Sequence, residues 1–526
     1  MKSVGYKKLI ISSALFITLL YNFDLGRYFF NQINNNFNFH NLYFIFGVYV
    51  LEITFLILLI LIIGQRYLLK PIIITLILIG AVAKYFKTNY GVLINDDIIV
   101  STFHTFLERN YDELNDILNL KFFTRIFIFV IMPSIFILKI KINYPSAFKN
   151  EIFQRLIIVI VSFCFVLIII FANYKNISLI GRKNSKILTQ LIPSYAITSI
   201  YNVYKNYYKS IPEMKFIENS PNEDGLNDRE ILVLVIGETA RADHFSIFGY
   251  EKNTNPLLNQ KNIKFFKSAK SCGTVTAYSV PCIFYLDKYE NYTPLKAEFT
   301  QNVLDVIDIE ENHKVIWVEN NSSCKHVCDR IETRDLKDSN NPSFNPNQYD
   351  EILIKETKKI FNEYKSSDLL IVLHALGSHG PKYFKRYPEE FEYFKPVCKK
   401  NSPEECSNEE LINAYDNTIL YTDYILSELI DLIKINLNPK DKAALLYVSD
   451  HGESLGEKNI YLHGLPNSIA PSEQTHIPII LWSNLNKKNI ELVESNVSHE
   501  NIPITLIDFF NLKTKIKFNT NSLFNY

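Results

Sequence analysis

The chain has 526 residues, of which 48% are hydrophobic and 14% aromatic, and its 55 Lys and Arg balance 55 Asp and Glu. A formal net charge of zero gives no general attraction to nucleic acid, and we predict no nucleic-acid partner. This length favours more than one domain, and the apolar residues are concentrated before residue 175.

Five apolar runs in this first part have membrane-spanning length or come close to it. Lys7 and Lys8 precede the first run, as they would in a signal peptide, but no small-residue cleavage site follows. We therefore interpret this run as an uncleaved helix. The sequence predicts a five-helix transmembrane domain over residues 1–175. The runs have approximate bounds 7–22, 42–64, 69–87, 122–140 and 155–173.

Positive charges in the short loops predict the orientation of these spans. They precede the first run and lie in the second and fourth loops, at Lys2, Lys7, Lys8, Arg66, Lys70, Lys139, Lys141, Lys149 and Arg155. With five spans, all of them fall on one side of the membrane, which should be the cytoplasmic side. We therefore expect everything after residue 175 to lie outside the inner membrane.

The cysteines fit an exported domain. Cys164 lies in the fifth run, whereas the other six cysteines form the close pairs Cys272/Cys282, Cys324/Cys328 and Cys398/Cys406. An even number in an oxidising compartment indicates disulfides, although six cysteines allow about 15 pairings. Metal ligation is the alternative, but the short Cys-x3-Cys pair has no matching second half. We predict neighbour disulfides, each contributing ~2–3 kcal/mol by restricting the unfolded chain.

The rest of the chain has a different pattern. Residues 176–228 are first aromatic and basic and then rich in turn formers, which predicts an interfacial bridge and linker before a catalytic domain over 229–526. Short apolar runs then recur at 231–237, 314–320, 369–377, 443–452 and 477–483, with helical patterns between them at 348–364 and 408–436. This alternation predicts an α/β domain with a mainly parallel sheet covered on both faces.

Ligand sites in such sheets lie beyond the carboxyl ends of the strands. Glu238 directly follows the first run, and Asp450 and His451 follow the fourth. His379 follows the third in "GSHGP", and His463 lies in "YLHG". Taken singly, these residues could be a helix cap, a turn or surface histidines. Together at converging strand ends, they are typical of a Zn²⁺ site.

The stretch "SCGTVTAYSVPC", residues 271–282, offers a nucleophile. A metal lowers the pKa of a hydroxyl bound to it, and a threonine oxygen would complete a tetrahedral ligand set. The candidate hydroxyls are Thr274, Thr276 and Ser279, and physical reasoning alone does not choose among them. A disulfide between Cys272 and Cys282 would hold this loop in position.

The motifs "GETARADHFSIFGY", "SCGTVTAYSVPC", "GSHGP", "SDHGESLGE" and "YLHG" follow five membrane spans in this order. This arrangement resembles the bacterial phosphoethanolamine transferases, which include lipid A-modifying enzymes that confer polymyxin resistance. The resemblance implies an alkaline phosphatase/sulfatase-like fold for the catalytic domain. It also implies that Thr276 is the nucleophile that becomes phosphoethanolaminylated, and that Glu238, Thr276, Asp450 and His451 bind the zinc.

The same resemblance implies the reaction and its location. Phosphatidylethanolamine is the expected donor, lipid A or core oligosaccharide is the expected acceptor, and the intermediate is a phosphothreonine-type ester. His379 and His463 match positions that assist at the substrate phosphate or help bind a second zinc, and either imidazole could protonate the departing diacylglycerol. The expected protein is a monomer in the bacterial inner membrane with its catalytic domain in the periplasm.

The loop "NDDIIVSTFHTFLERN", residues 95–110, matches the family less well. In the family this outward loop carries an Asn, a Thr and a Glu that contact the lipid headgroup. Thr105 fits the Thr, and Ser101 stands at the Asn position. The Glu is either Glu108, displaced by one residue, or is replaced by Arg109. A polar surface helix is the alternative interpretation.

Three other functions fit the sequence less well. A phosphoglycerol transferase of the lipoteichoic acid synthase type would have similar spans, but the paired cysteines and the 271–282 loop disfavour it. A sulfatase is disfavoured because no Cys/Ser-x-Pro-x-Arg motif is found. A membrane-anchored sensor with an inactive transferase domain is disfavoured by the intact ligand set.

Overall fold

Two units make up the structure, a computed structural model: Met1–Asp96 with Ile117–Tyr204, and Asp97–Asp116 with Lys205–Tyr526. The described residues are 3–33, 38–107, 119–172, 185–208, 212–217, 228–287, 289–338, 348–485 and 491–526. Residues 176–184, 209–211 and 218–227 of the predicted bridge and linker lie outside this set, as do Glu108 and Arg109 and the side chain of Thr105.

The first unit is helical. The helices of this part of the chain are α1 (Tyr6–Asn22), α2 (Leu25–Gln32), α3 (Phe39–Ile63), α4 (Leu69–Asn89), α5 (Asp96–Leu107), α6 (Leu120–Ile126), α7 (Met132–Lys139), α8 (Phe148–Ala172) and α9 (Ser194–Val203). Of these, α5 belongs to the second unit from Asp97 onward. A π-helical turn, Phe127–Ile131, joins α6 to α7, and another, Tyr204–Tyr208, follows α9. The short strands β1 (Ser3–Gly5) and β2 (Lys141–Asn143) pair in parallel.

Four helices among the described residues are long and apolar enough to cross a membrane, namely α3, α4, Leu120–Lys139 and Lys149–Phe171. A fifth span is formed if α1 and α2, which meet at a bend of 44°, are counted together. The predicted bundle is therefore present, with its first span bent. The last helix begins earlier than predicted because its charges are paired: Glu151 lies 3.3 Å from Arg66 and 3.0 Å from Arg155.

The second unit is built on an eight-stranded sheet of order β12-β4-β11-β8-β3-β7-β5-β6. Its strands are β3 (Glu230–Gly237), β4 (Ile263–Lys270), β5 (His313–Glu319), β6 (Glu332–Asp335), β7 (Asp368–His374), β8 (Lys442–Ser449), β11 (His476–Ser483) and β12 (Glu491–Ser498). Within the described part of this sheet, β11 alone runs antiparallel. A separate hairpin pairs β9 (Ser454–Leu455) with β10 (Tyr461–Leu462).

Both faces of the sheet are buried, as predicted. Along β3, Ile231, Val233 and Val235 pack into one core, and Leu234 and Ile236 pack into the other. Burying each such side chain contributes roughly 1.5–3 kcal/mol. The continuous apolar strands of the centre were predicted, but β4, β6 and β12 were not, because exposed and half-buried polar residues interrupt their apolar pattern.

Helices cover the two faces: α10 (Thr276–Ile283), α11 (Pro294–Glu298), α12 (Val303–Asp308), α13 (Glu351–Glu363), α14 (Asn408–Ile435), α15 (Ser472–Thr475) and α16 (Asn501–Phe509). The longest, α14, begins at a capping box in which the Ser407 side chain accepts from the Glu410 backbone and the Glu410 side chain accepts from the Ser407 backbone. Its bounds agree with the predicted 408–436 to one residue.

The three neighbour disulfides are confirmed. Bonds join Cys272 to Cys282, Cys324 to Cys328 and Cys398 to Cys406, while Cys164 in α8 is not in a disulfide. The disulfide at residues 324 and 328 uses both sulfurs, so these cysteines are not metal ligands. The Cys272–Cys282 bond ties the loop before α10 to the last turn of that helix, since Cys282 lies within α10.

Candidate active site

Strand register brings the first two predicted ligands together. Strands β3 and β8 are parallel neighbours in which Gly237 pairs with Ser449. The next residue on each strand is Glu238 and Asp450, so both carboxylates leave the sheet at the same place. Both residues are fully buried.

Backbone groups then fix how each carboxylate is aimed. Thr239 has a φ of +52°, and its N–H donates to Asp450 Oδ1 at 3.1 Å. A left-handed conformation is costly for a β-branched residue, about 1–3 kcal/mol, and such strain is often found at functional sites. Gly377 approaches so closely that a Cβ there would lie 2.8 Å from the Glu238 nitrogen. The turn around Glu238 is therefore tightly constrained.

Glu238, Asp450 and His451 each offer one ligand atom, and these atoms all lie within 4.8 Å of one another. His451 Nδ1 lies 2.9 Å from the Gly452 carbonyl oxygen. A carbonyl only accepts, so Nδ1 donates its proton there, and burial lowers the pKa of His451. The lone pair of Nε2 then faces Asp450 Oδ2 at 3.3 Å and Glu238 Oε1 at 3.6 Å.

This arrangement suits a bound cation. Among the described residues, Asp450 Oδ2 and His451 Nε2 have no hydrogen-bond partner although both are buried. Two carboxylates and an unprotonated imidazole nitrogen repel one another in a buried site unless a positive charge lies between them. Carboxylate oxygen and imidazole nitrogen are both ordinary zinc ligands. The residues present therefore fit Zn²⁺.

The Thr276 hydroxyl contacts this cluster. Thr276 is the first residue of α10, and its Oγ1 lies 3.1 and 3.3 Å from the two oxygens of Glu238. Thr274 instead donates its hydroxyl to the Leu465 carbonyl at 2.7 Å. Ser279 lies one turn further along α10 and is fully buried. The three hydroxyls left open by the sequence thus have different surroundings.

The loop before α10 is fixed to the sheet by a residue that the sequence analysis missed. His499 is fully buried; its Nδ1 accepts from the Cys272 backbone N–H at 3.1 Å, and its Nε2 donates to the Ser449 carbonyl at 2.9 Å. Ser449 is the last residue of β8, directly before Asp450. A single imidazole therefore links the threonine loop to the strand that carries two of the ligands.

The other two predicted histidines lie beside the cluster. The ring of His463 is centred 4.4 Å from that of His451 and 6.1 Å from that of His379. His463 Nδ1 lies 2.7 Å from Glu453 Oε2, and Glu453 Oε1 accepts from the Tyr383 hydroxyl at 2.6 Å. His463 keeps 18% of its side chain exposed. Burial lowers the pKa of His379 well below its ordinary value, and Arg386 and His463 lower it further.

Asn321 and Glu453 were also missed. Asn321 follows the predicted strand 314–320, and its amide donates to Glu238 Oε2 at 2.7 Å. Its position after a strand was the only signal available. Glu453 lies within the quoted "SDHGESLGE" motif, but nothing in the sequence distinguishes its role from that of a surface carboxylate. Of the donor-loop residues, Ser101 lies in α5.

Fold and site together define the class. An α/β domain with a ligand cluster beyond the carboxyl ends of its parallel strands is of the sulfatase type, and residues 230–512 match the Sulfatase family. Residues 53–208 match the family described as Phosphoethanolamine transferase EptA/EptB. The chain belongs to the phosphoethanolamine transferases, which are membrane-bound enzymes with a sulfatase-like domain.

Individual relatives agree over nearly the whole length. Phosphatidylethanolamine transferase Mcr-2 from Escherichia coli is 34% identical over 487 residues, covering 90% of this chain and 89% of that protein. The structure of the integral membrane protein lipooligosaccharide phosphoethanolamine transferase A (EptA) from Neisseria meningitidis is similar with a TM-score of 0.88, 28% identity and coverage of 98% and 97%. The periplasmic domain of EptC from Campylobacter jejuni is 43% identical, with a TM-score of 0.51, covering 58% of this chain and 94% of that domain.

Proposed function

We propose that this enzyme transfers phosphoethanolamine from phosphatidylethanolamine to an envelope acceptor through a covalent ester on Thr276, with zinc as its metal. The observation that carries the proposal is the position of the Thr276 hydroxyl, 3.1 Å from the Glu238 carboxylate. Of the other two candidate hydroxyls, Thr274 donates to the Leu465 carbonyl instead, and Ser279 is buried one turn further along α10. Thr276 is therefore the proposed nucleophile.

The metal would be held by Glu238, Asp450 and His451, with the Thr276 oxygen as fourth ligand. When bound, Zn²⁺ supplies Lewis-acid polarisation of a phosphoryl oxygen. The chain itself contributes the rest. Glu238 orients the threonine hydroxyl and accepts its hydrogen bond, and Thr276 sits at the start of α10, where unpaired N–H groups and the helix dipole favour the negative charge of a phosphate.

In the first step, Thr276 Oγ1, which has released its proton to water and reacts as the alkoxide, forms a bond to the phosphorus of phosphatidylethanolamine, and the bond from phosphorus to the diacylglycerol oxygen breaks. The departing oxygen takes a proton from an imidazole. His463 is the better placed donor, because the Glu453 carboxylate stabilises its protonated form. His379, whose pKa is held low, is largely neutral at neutral pH and suits a hydrogen-bonding role.

In the second step, an oxygen of the acceptor attacks the same phosphorus, and the bond to Thr276 Oγ1 breaks. The acceptor's proton passes to an imidazole, which restores the acid for the next cycle. We propose lipid A or core oligosaccharide as the acceptor. The N. meningitidis relative is named for lipooligosaccharide, and a Salmonella typhimurium relative, 28% identical, is named as a Kdo(2)-lipid A phosphoethanolamine 7''-transferase.

The proposed location is the inner membrane, with the catalytic unit in the periplasm and the chain acting as a monomer. Charge in the short loops favours a cytoplasmic N-terminus. With five spans, the catalytic unit then lies on the opposite, periplasmic side.

Turnover of labelled phosphatidylethanolamine by the purified full-length enzyme tests the proposal. We expect diacylglycerol release and one phosphoethanolamine on the peptide that contains Thr276, detected by mass spectrometry. Thr276→Ala should abolish both while keeping the melting temperature, and Thr276→Ser should restore part of the turnover. Full activity of Thr276→Ala, or a label on another residue, would refute the nucleophile.

The acceptor requires a separate measurement. Mass spectra of envelope lipids and glycans are compared between a deletion strain and the same strain carrying the wild-type gene. We expect phosphoethanolamine to be missing from lipid A or core oligosaccharide in the deletion strain. If both are unchanged, the acceptor assignment is wrong even if the threonine ester forms.

A further inference from the structure

A buried pair lies behind the ligand cluster and takes no part in the chemistry described so far. In the register of β5 and β7, Glu319 stands opposite His374, and these are the last residues of their strands. Their side chains meet at 3.0 Å between Glu319 Oε2 and His374 Nδ1. His374 is fully buried and Glu319 is 4% exposed.

The hydrogen bonds around Glu319 fix the proton on His374. Glu319 Oε2 also accepts from Trp317 Nε1 at 2.9 Å, and Oε1 accepts from the Asn321 backbone N–H at 2.7 Å. Burial alone would raise the pKa of Glu319, but His374 and these hydrogen bonds hold it below its ordinary value. An ionised carboxylate only accepts, so His374 donates through Nδ1.

The other ring nitrogen, Nε2, faces Asn321. The Asn321 amide nitrogen lies 3.3 Å from His374 Nε2, 3.1 Å from the Ala375 carbonyl oxygen and 2.7 Å from Glu238 Oε2. The Ala375 carbonyl and the Glu238 carboxylate only accept, so the amide must point its NH₂ group, and not its oxygen, toward Glu238. His374 Nε2 faces this NH₂ group and therefore accepts from it. A rotated amide would place an oxygen against the carboxylate, which is unfavourable in a buried site.

Asn321 in turn divides the roles of the two Glu238 oxygens. Oε2 accepts from Asn321 and lies 3.1 Å from Thr276 Oγ1. Oε1 is the oxygen that faces His451 Nε2, at 3.6 Å. Groups that orient a ligating carboxylate contribute strongly to metal affinity, although they never touch the metal.

We propose that the Glu319–His374 pair is a positioning device that locks the Asn321 amide, and through it Glu238, in the orientation the ligand cluster needs to hold its metal. This inference rests on the metal site of the proposed function. The metal site would then need Glu319 and His374, at the ends of β5 and β7, in addition to its ligands, which follow the ends of β3 and β8.

Zinc affinity of the full-length protein, measured by competition with a chromophoric chelator, tests this directly. His374→Leu replaces the imidazole with an apolar side chain of similar bulk and removes the acceptor for Asn321. Glu319→Gln keeps the shape but places an NH₂ group where the carboxylate accepts from three donors. The matched control is Val372→Ala, a fully buried change on the same face of β7.

We expect His374→Leu and Glu319→Gln to weaken zinc binding by about 10-fold or more, while Val372→Ala binds zinc as the wild type does. When loaded with Co²⁺, His374→Leu and Glu319→Gln (the two network variants) should also show an altered visible spectrum, which a loss of stability alone would not produce. If His374→Leu does not fold, the zinc affinity of the isosteric variant Glu319→Gln tests the inference.

Two results would overturn the inference. If the wild type binds zinc and turns over lipid, but both network variants match Val372→Ala in affinity and spectrum, the positioning role is wrong and the proposed function stands. If the wild type binds no zinc, the metal site of the proposed function fails and this inference fails with it.

Discussion

The three-ligand cluster and the histidine pair lie side by side but are held in different ways. Glu238, Asp450 and His451 are fully buried and follow directly on the ends of two adjacent parallel strands. His379 and His463 come from loops, and His463 is held by a side-chain partner, Glu453. The cluster is therefore fixed by strand register, backbone N–H groups and the Asn321 amide, whereas His463 is held by a side-chain contact at the end of a loop.

This difference suggests that the cluster binds the metal and that the histidine pair transfers protons. A metal site needs several charged groups at fixed separations, and a sheet provides fixed separations at little entropic cost. A proton donor must serve a departing oxygen in one step and an attacking oxygen in the next, which is easier for a partly exposed imidazole. Changes in the cluster should therefore remove the metal, and changes in the pair should leave it bound.

The largest expected effect is that of Asp450→Asn. The amide presents an NH₂ group or a weak neutral ligand where the cluster needs a carboxylate. We expect zinc content to fall and turnover to drop by at least about 10³-fold. Elemental analysis and diacylglycerol release measure the two losses. Glu494→Gln, at a residue whose side chain is 68% exposed, is the control and should change neither.

Much of this cluster could be predicted from the sequence because its members follow directly on apolar runs. Glu238 comes one residue after β3, and Asp450 comes one residue after β8. Parallel strands bring their carboxyl ends to one edge, so proximity follows from position along the chain. Local spacing and chemical type were enough for these residues.

Groups that act through packing could not be predicted in this way. His499 contacts Cys272, which is 227 residues away, and no pattern in either stretch indicates the contact. Glu319 and His374 become partners only because β5 and β7 are neighbours in a particular register. Strand order and register are tertiary properties, and the sequence analysis predicted only that a mainly parallel sheet exists.

His463→Asn is expected to have the second-largest effect on turnover. This variant distinguishes the role of the histidine pair from that of the ligand cluster. Loss of the imidazole removes the proposed proton donor, so we expect turnover to fall by about 10²-fold. Zinc content should remain at the wild-type level, because His463 is not one of the proposed ligands. Retained turnover would show that the proton comes from another group, and lost zinc would show that the pair belongs to the metal site.

Glu453→Gln should have a smaller effect of the same kind. The amide no longer supports a charged imidazole, but it still occupies the position between His463 and the Tyr383 hydroxyl. We expect about a 10-fold loss of turnover, with the pH dependence of turnover changed and the zinc content unchanged. If the loss equals that of Asp450→Asn, Glu453 belongs functionally to the cluster.

Removing the Cys272–Cys282 disulfide should act on the placement of Thr276. The paired change Cys272→Ser and Cys282→Ser opens a loop with a sequence separation of 10. The cost in unfolding free energy should be ~2–3 kcal/mol, with a lower turnover because the loop before α10 is less well ordered. Melting temperature and turnover measure the two effects. A variant that matches the wild type in both would contradict the role of the disulfide in positioning the loop.

The smallest expected effect concerns His499, which connects the threonine loop to the strand of the cluster. Burial lowers the pKa of His499 to about 4, while the Ser449 hydrogen bond and Asp450 oppose this shift. Because the native pKa is below the unfolded value of about 6.5, the unfolded chain binds more protons between these limits. Stability is therefore fully present above about pH 6.5 and is lost as the pH falls toward about 4, by about 1–2 kcal/mol at pH 5.

His499→Gln provides the comparison that isolates this titration. Glutamine can donate to the Ser449 carbonyl, as Nε2 does, but does not ionise in this range. The melting temperature of the wild type should therefore fall more steeply than that of His499→Gln between pH 6.5 and 5. Parallel curves would assign the acid sensitivity to other groups. A steeper wild-type curve means that protonation of the His499 imidazole weakens the link between the threonine loop and β8. Acid would then loosen the contact that positions Thr276 against the ligand cluster.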